Sequence, residues 1–216
     1  MEFANLILGH DFAVGVSHVK AMISRGVSLE SVYLDLLAPT ARHLGLLWEA
    51  DLCDFTEVTV GLWRLQQVLR EFSPAFLDAA ESRGDGRRAL LVPASGEQHR
   101  LGLFMVAEFF RRAGWEVCDG PPASSSDLLG VVRGEWFDVV GFSVTCESRL
   151  DALAADIRAI RRASRNRAVG VMVGGRVFTE HPELVASVPS GPTRQRLTDG
   201  THRFRPKTCL LKGWTP

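Results

Sequence analysis

Ala89-Leu90-Leu91-Val92-Pro93-Ala94-Ser95-Gly96-Glu97-Gln98-His99-Arg100-Leu101-Gly102 decides how this chain is read. The apolar run Ala89–Val92 has the composition of a buried parallel strand, and Leu103 to Phe110 has that of a helix. His99 then falls at the carboxyl end of a first strand, where open α/β sheets take their ligands. The small residues around it let a bulky group approach the backbone. Glu97, two positions before the imidazole, is placed to accept its second N–H and raise its basicity toward a metal. The spacing Glu97-x-His99-x-x-Gly102 therefore reads as a histidine offered to a metal from a strand–helix loop. On local grounds alone, a solvated loop histidine fits equally well.

The sequence beyond this stretch alternates apolar runs with helical periods. Strands are expected at 89–92, 115–118, 139–142 and 170–173, and helices at 101–113, 125–133 and 150–164. Continuous apolar strands separated by helices predict an α/β domain with a doubly wound parallel sheet over residues 89–187. After Glu183 the pattern fails. A fifth strand and closing helix are not recognisable, and residues 188–216 carry Arg194, Arg196, Arg203, Arg205, Lys207 and Lys212 with little apolar period. We read this tail as basic and disordered rather than as a nucleic-acid arm. A change of reading frame would produce the same loss of pattern.

Residues 1–77 are helical in character. Phe12, Val16, Val19 and Ile23 recur at helical spacing before Gly26. Ser28 and Ser31 can cap the next segment, which passes Pro39 and resumes to Trp48. A polar break at 49–54 precedes a helix from Phe55 to about Phe72, with Val58, Leu62, Leu65 and Leu69 on one face. Short connections predict an antiparallel bundle. The charged, Gly-rich residues 78–88 are expected to link the two parts.

Composition narrows the function classes. A 216-residue chain with 46% hydrophobic and 23% charged residues is an ordinary globular protein. Its formal net charge is zero, so nothing global favours nucleic acid or a membrane surface. No apolar run approaches the roughly 18–20 residues of a membrane span, and the start lacks the basic region of a secretory signal. Cys53, Cys118, Cys146 and Cys209 show no paired spacing for zinc or redox work. Buried free thiols in a cytoplasmic protein are the expectation. No Ser/His/Asp set, paired-carboxylate site or phosphate-binding loop stands out, so the chain is not expected to be an enzyme.

Three elements in order carry a resemblance. The loop at Glu97-x-His99-x-x-Gly102 resembles the Asp-x-His-x-x-Gly signature of cobalamin-binding Rossmann-like domains, with Glu97 in place of Asp. Val140-Gly141-Phe142-Ser143-Val144-Thr145 resembles the family's second element, and Val171-Met172-Val173-Gly174-Gly175 its third. The resemblance implies cobalamin as cofactor, lying over the carboxyl ends of the strands with its benzimidazole tail in a slot beside the sheet. His99 would be the lower cobalt ligand, with Glu97 behind it. Gly102 would permit passage of the tail, Ser143 and Thr145 would hydrogen-bond it, and Gly174 and Gly175 would leave it room. Ser143 and Thr145 fit ordinary strand-end capping as well, and Gly174-Gly175 a plain turn.

The helical part adds to this. Trp48, in the helix break Leu47–Asp51, resembles the aromatic that light-sensing cobalamin repressors place over the upper face of the ring; a packed core Trp is the other reading. Those repressors follow their Trp, after nine residues, with Glu-His, where this chain has Val58-Thr59. An upper histidine is thus absent at that place, and His43 is a conceivable substitute. Residues 47–70 and 96–115 are most similar to the AerR/PpaA antirepressors of photosynthetic bacteria and to the haem-binding module of blue-light antirepressors. That likeness implies a regulator, light- or redox-responsive, acting on a transcriptional repressor by protein contact. A corrinoid carrier of a methyltransferase system is the nearest alternative. Haem on the same fold, held by His99, is the other.

Overall fold

The computed structural model describes residues 2–9, 11–78, 86–97, 100–120, 124–186 and 188. The chain divides after Ala80 into two compact units. Most of the expected linker, residues 79–85, and the tail beyond Val188 lie outside the described residues.

The first unit is all helical: α1 (Glu2–Gly9), α2 (Phe12–Ser24), α3 (Leu29–Ser31), a π-helical turn (Val32–Leu37), α4 (Ala38–Glu49) and α5 (Phe55–Asp78). Apolar residues of all the longer elements, among them Ile7, Val19, Leu37, Leu44 and Leu65, are fully buried. Each such side chain contributes about 1.5–3 kcal/mol by leaving water. The Ser28 hydroxyl accepts the amide of Ser31, which caps α3. Asp54 and Glu57 form a reciprocal capping box at the start of α5. Asp54 Oδ1 accepts the Glu57 amide and Glu57 Oε2 accepts the Asp54 amide, each at 2.8 Å.

Three expectations for this unit need correction. Helix α1 has no counterpart among the expected elements. Pro39 does not interrupt the second segment: the backbone stays helical from the π-helical turn through Leu37 and Ala38 into α4, with Pro39 in its first turn. Nor does the last helix stop near Phe72: it runs through Pro74 to Asp78. Phe76 is fully buried and stacks on Tyr33 with ring centroids 4.6 Å apart. That packing holds the turn beyond the proline.

The second unit contains four parallel strands, β1 (Arg88–Pro93), β2 (Glu116–Cys118), β3 (Val139–Ser143) and β4 (Gly170–Gly174), in the order β2-β1-β3-β4. Helices α6 (Leu101–Arg112), α7 (Ser125–Gly134) and α8 (Leu150–Ala163) connect them, and α9 (Arg176–Glu180) comes after β4. Alternation along β1 feeds two cores. Ala89 and Leu91 pack with Leu103, Val106 and Phe110 of α6, whereas Leu90 and Val92 pack with Leu128, Val132, Leu153 and Ile157 of α7 and α8. The sheet is therefore covered on both faces, a Rossmann-like, doubly wound arrangement. The β1 and β3 connections leave in opposite directions along the sheet, so the topological switch point lies between these two central strands.

Among the described residues no fifth strand occurs, and β4 pairs only with β3. No described helix is long and apolar enough to cross a membrane. The thiols differ from expectation. Cys118 ends the short edge strand β2 and Cys146 closes the loop after β3, and both are exposed, while Cys53 is half-buried and Cys209 lies outside the described residues. Edge and loop positions leave no second layer to cover them.

Candidate functional site

The carboxyl edge of the sheet is built from the loops after β1, β3 and β4. Ala94, Ser95, Gly96 and Glu97 form a tight turn, in which the Glu97 amide donates to the Ala94 carbonyl at 2.9 Å. Gly96 has φ +76°, which its place in the turn requires and which only glycine adopts freely. The loop leads through Arg100 into α6, where Gly102 is buried in the first turn. Gln98 and His99 lie outside the described residues.

The β1 and β3 loops are fastened together across the switch point. The Ala94 amide donates to the Ser143 carbonyl at 2.9 Å. Both donors of Thr145 fall on one oxygen of Glu97, the amide at 3.0 Å and the hydroxyl at 2.5 Å. Glu97 is only 7% exposed, so these bonds are what make burying its carboxyl group tolerable. On sequence grounds Glu97 is assigned to an imidazole and Thr145 to a ligand; the structure joins the two to each other. Ser143 is buried at the end of β3, with its carbonyl engaged by the Ala94 amide.

The β4 loop is fastened in turn to the β3 loop. The Val144 amide donates to the Gly174 carbonyl at 2.9 Å. Gly175 has φ +110°, and a Cβ there would run into the carbonyl oxygen of Val144 and stand 2.7 Å from its nitrogen. Its lack of a side chain is thus demanded by the neighbouring backbone. Six of the eight residues singled out from the sequence, Glu97, Gly102, Ser143, Thr145, Gly174 and Gly175, belong to the strand–helix connections of this one sheet. Trp48 belongs to the helical unit. It stands in the last turn of α4, not in the break after it, and is 47% exposed.

One contact at this edge carries no sequence signal. Arg149, at the end of the 3₁₀ turn Glu147–Arg149, donates from Nη1 to the Ser95 carbonyl at 2.7 Å. Its guanidinium fills the space in which a Gly96 side chain would stand.

Residues 87–191 match the sequence model of the B12 binding domain. The second unit is a B12-binding domain. Along a longer stretch, the chain is 27% identical over 160 residues to an uncharacterised 20.5 kDa protein of the bchF-crtJ intergenic region of Rhodobacter capsulatus, covering 74% of this chain and 83% of that protein. The structure is similar to the monomethylamine corrinoid protein of Methanosarcina barkeri, with a TM-score of 0.72 and 14% identity over 88% of this chain and 89% of that one. At that identity the likeness is one of fold.

Cobalamin is the cofactor of the B12-binding domain, and the residues present fit it. Ala94, Ser95 and Gly174 keep the side chains short along this edge, where a large flat ring would approach, whereas the spaces beside Gly96 and Gly175 are taken by Arg149 and by the Val144 backbone, so Gly175 does not leave the room expected of it. The sequence places an imidazole, a donor suited to cobalt, two residues beyond the anchored Glu97. Among the described residues no cluster of three His, Cys, Asp or Glu side chains offers a competing metal site.

Proposed function

We propose that this chain is a regulatory protein that uses cobalamin to sense light or redox state and acts on a transcriptional repressor by direct contact. One observation carries the reading. Similarity to the protein from the bchF-crtJ region, a photosynthesis-gene region, extends over 160 residues, so it takes in more of the chain than the B12-binding domain alone. A cofactor domain and helical unit kept together in that setting suit a regulator.

In this reading His99 would supply the imidazole that holds cobalt, and the Glu97 turn would anchor the loop that carries it. Bound cobalamin supplies a cobalt centre whose ligand set responds to light and to reduction. The chain's own residues position that centre and exclude water; none is assigned a catalytic role. The signal passes to the repressor through the helical unit.

The competing reading is a corrinoid carrier, supported by the fold likeness to the monomethylamine corrinoid protein. The two separate by experiment. Wild-type and His99→Ala proteins are reconstituted with cobalamin, and their spectra are recorded in the dark, under illumination and after reduction. Association with the host's repressor of photosynthesis genes is followed by size-exclusion chromatography in the same three states. We expect an imidazole-ligated spectrum that His99→Ala abolishes, and a repressor complex that depends on the state of the cofactor. An unchanged spectrum in His99→Ala removes the lower-ligand assignment. A state-independent lack of complex, with methyl transfer from the loaded protein to a corrinoid-dependent methyltransferase, establishes the carrier.

A further inference from the structure

We infer that Arg149 is a positioning residue for the cofactor, clamping the turn that precedes His99 from the opposite side of the switch point. The inference rests on the cobalamin reading of this site and adds to it a residue that neither motif nor spacing marks.

Three contacts define the clamp. From the β3 connection, the Ser143 carbonyl holds the Ala94 amide, Arg149 holds the Ser95 carbonyl, and Thr145 holds the Glu97 carboxyl. The β1 loop is thereby tied to the neighbouring loop at three of its four turn residues. The Arg149 contact differs from the other two in coming from a long side chain of a residue beyond the loop itself. It is a charge-assisted bond from a long side chain, 2.7 Å in length, laid across a glycine whose φ is +76°. A side chain at position 96 would push the guanidinium off this place and would also be strained by the positive φ. The buried packing of β1, α6 and α8 needs neither of them: Arg149 lies outside both core clusters. Its bond instead holds the turn 94–97, which His99 follows in the sequence.

A group that acts by holding a loop in place governs binding more than folding. Losing it frees the turn, and the cost appears when the ligand must order the loop again. The Lys variant keeps a donor but not the planar fork that covers Gly96, so it restores the bond only in part.

The test compares Arg149→Ala, Arg149→Lys and Gly96→Ala with the wild type and His99→Ala. Thermal unfolding of the cobalamin-free proteins, cobalamin affinity by titration, and the imidazole-nitrogen coupling in the electron paramagnetic resonance spectrum of the cobalt(II) form are measured. Amide exchange at Glu97 is measured without ligand. For Arg149→Ala we expect unchanged unfolding, faster exchange at Glu97 but not at Leu91, and roughly tenfold weaker cobalamin binding. A smaller share of imidazole-bound cobalt should accompany these changes, and Arg149→Lys should fall between Ala and wild type. Gly96→Ala should weaken binding too, and less so when Arg149→Ala has removed the colliding group. Wild-type affinity and coupling in Arg149→Ala would overturn the inference. If His99→Ala and wild type share one spectrum, the lower-ligand reading fails instead, and Arg149 is then judged by affinity and Glu97 exchange alone.

Discussion

At the scale of single residues, Glu97 and Thr145 show how a buried carboxyl group can fasten two loops. Burial deprives Glu97 of water, and the Thr145 amide and hydroxyl replace it on the same oxygen. Thr145→Val keeps the shape of the side chain and the amide donor but removes the hydroxyl. It should destabilise the domain by about 1–3 kcal/mol, the cost of leaving a buried acceptor short of a partner. Thr145→Ser should recover most of that. Urea unfolding of the three proteins checks the prediction, and equal midpoints for Thr145→Val and wild type would show the carboxyl to be satisfied otherwise. Glu97, Ser143, Thr145, Gly174 and Gly175 are legible in the sequence because each lies within a few residues of a strand end. The bond from Arg149 to Ser95 is not, because it joins residues 54 apart with no period or spacing to mark it. The mutual bonding of Glu97 and Thr145, 48 residues apart, is hidden for the same reason, although both residues stand out singly.

Among the elements, strands β1, β3 and β4 and helices α6, α7 and α8 fall within a residue or so of where their apolar runs place them. Strands buried on both faces and helices of ten or more residues give strong signals. Helix α1 has only eight residues, too short for a convincing period, and forms because Phe3, Ala4 and Ile7 are buried by tertiary packing. The prolines mislead for a related reason. At Pro74 the helix continues because Phe76 and Tyr33 pack together, and the Tyr33 hydroxyl donates to the Leu69 carbonyl at 3.0 Å in the preceding part of the helix. Tyr33→Phe should therefore cost about 1–2 kcal/mol, since it strips a partner from a carbonyl in a buried setting. Chemical denaturation of the protein measures it, and a change below about 0.5 kcal/mol would show that water replaces the hydroxyl. Trp48 makes the contrary case. With nearly half its surface exposed at the end of α4, it contributes little to its own unit's core. Trp48→Ala should leave unfolding within about 0.5 kcal/mol of wild type, while the resemblance to light-sensing regulators predicts faster exchange of the cofactor's upper ligand. Normal exchange with a large loss of stability would make Trp48 a packing residue.

For the molecule as a whole, the residues beyond β4 decide how that edge of the sheet is covered. Described packing continues to Val188, which is buried in the larger core together with Phe178 and beside Leu184 and Val185. The residues after it contain little that could extend that core, since Arg and Lys recur among them without apolar period. Removing residues 189–216 should accordingly leave the melting temperature and cobalamin affinity of the protein unchanged. The outer edge of β4 makes a second outcome measurable. Among the described residues it has no strand partner, and Val171, Met172 and Val173 are only half-buried. An unpaired edge of apolar composition invites pairing with another chain. Size-exclusion chromatography across a range of concentrations, with and without cobalamin, should therefore show self-association in both the full and the shortened protein. A monomer that loses cobalamin only on truncation would show instead that the tail covers β4. Salt separates the remaining possibility. Association through a strand edge is mainly backbone hydrogen bonding and apolar burial, so raising the ionic strength should leave it in place, whereas a nucleic acid held by the tail's basic residues would be released steeply.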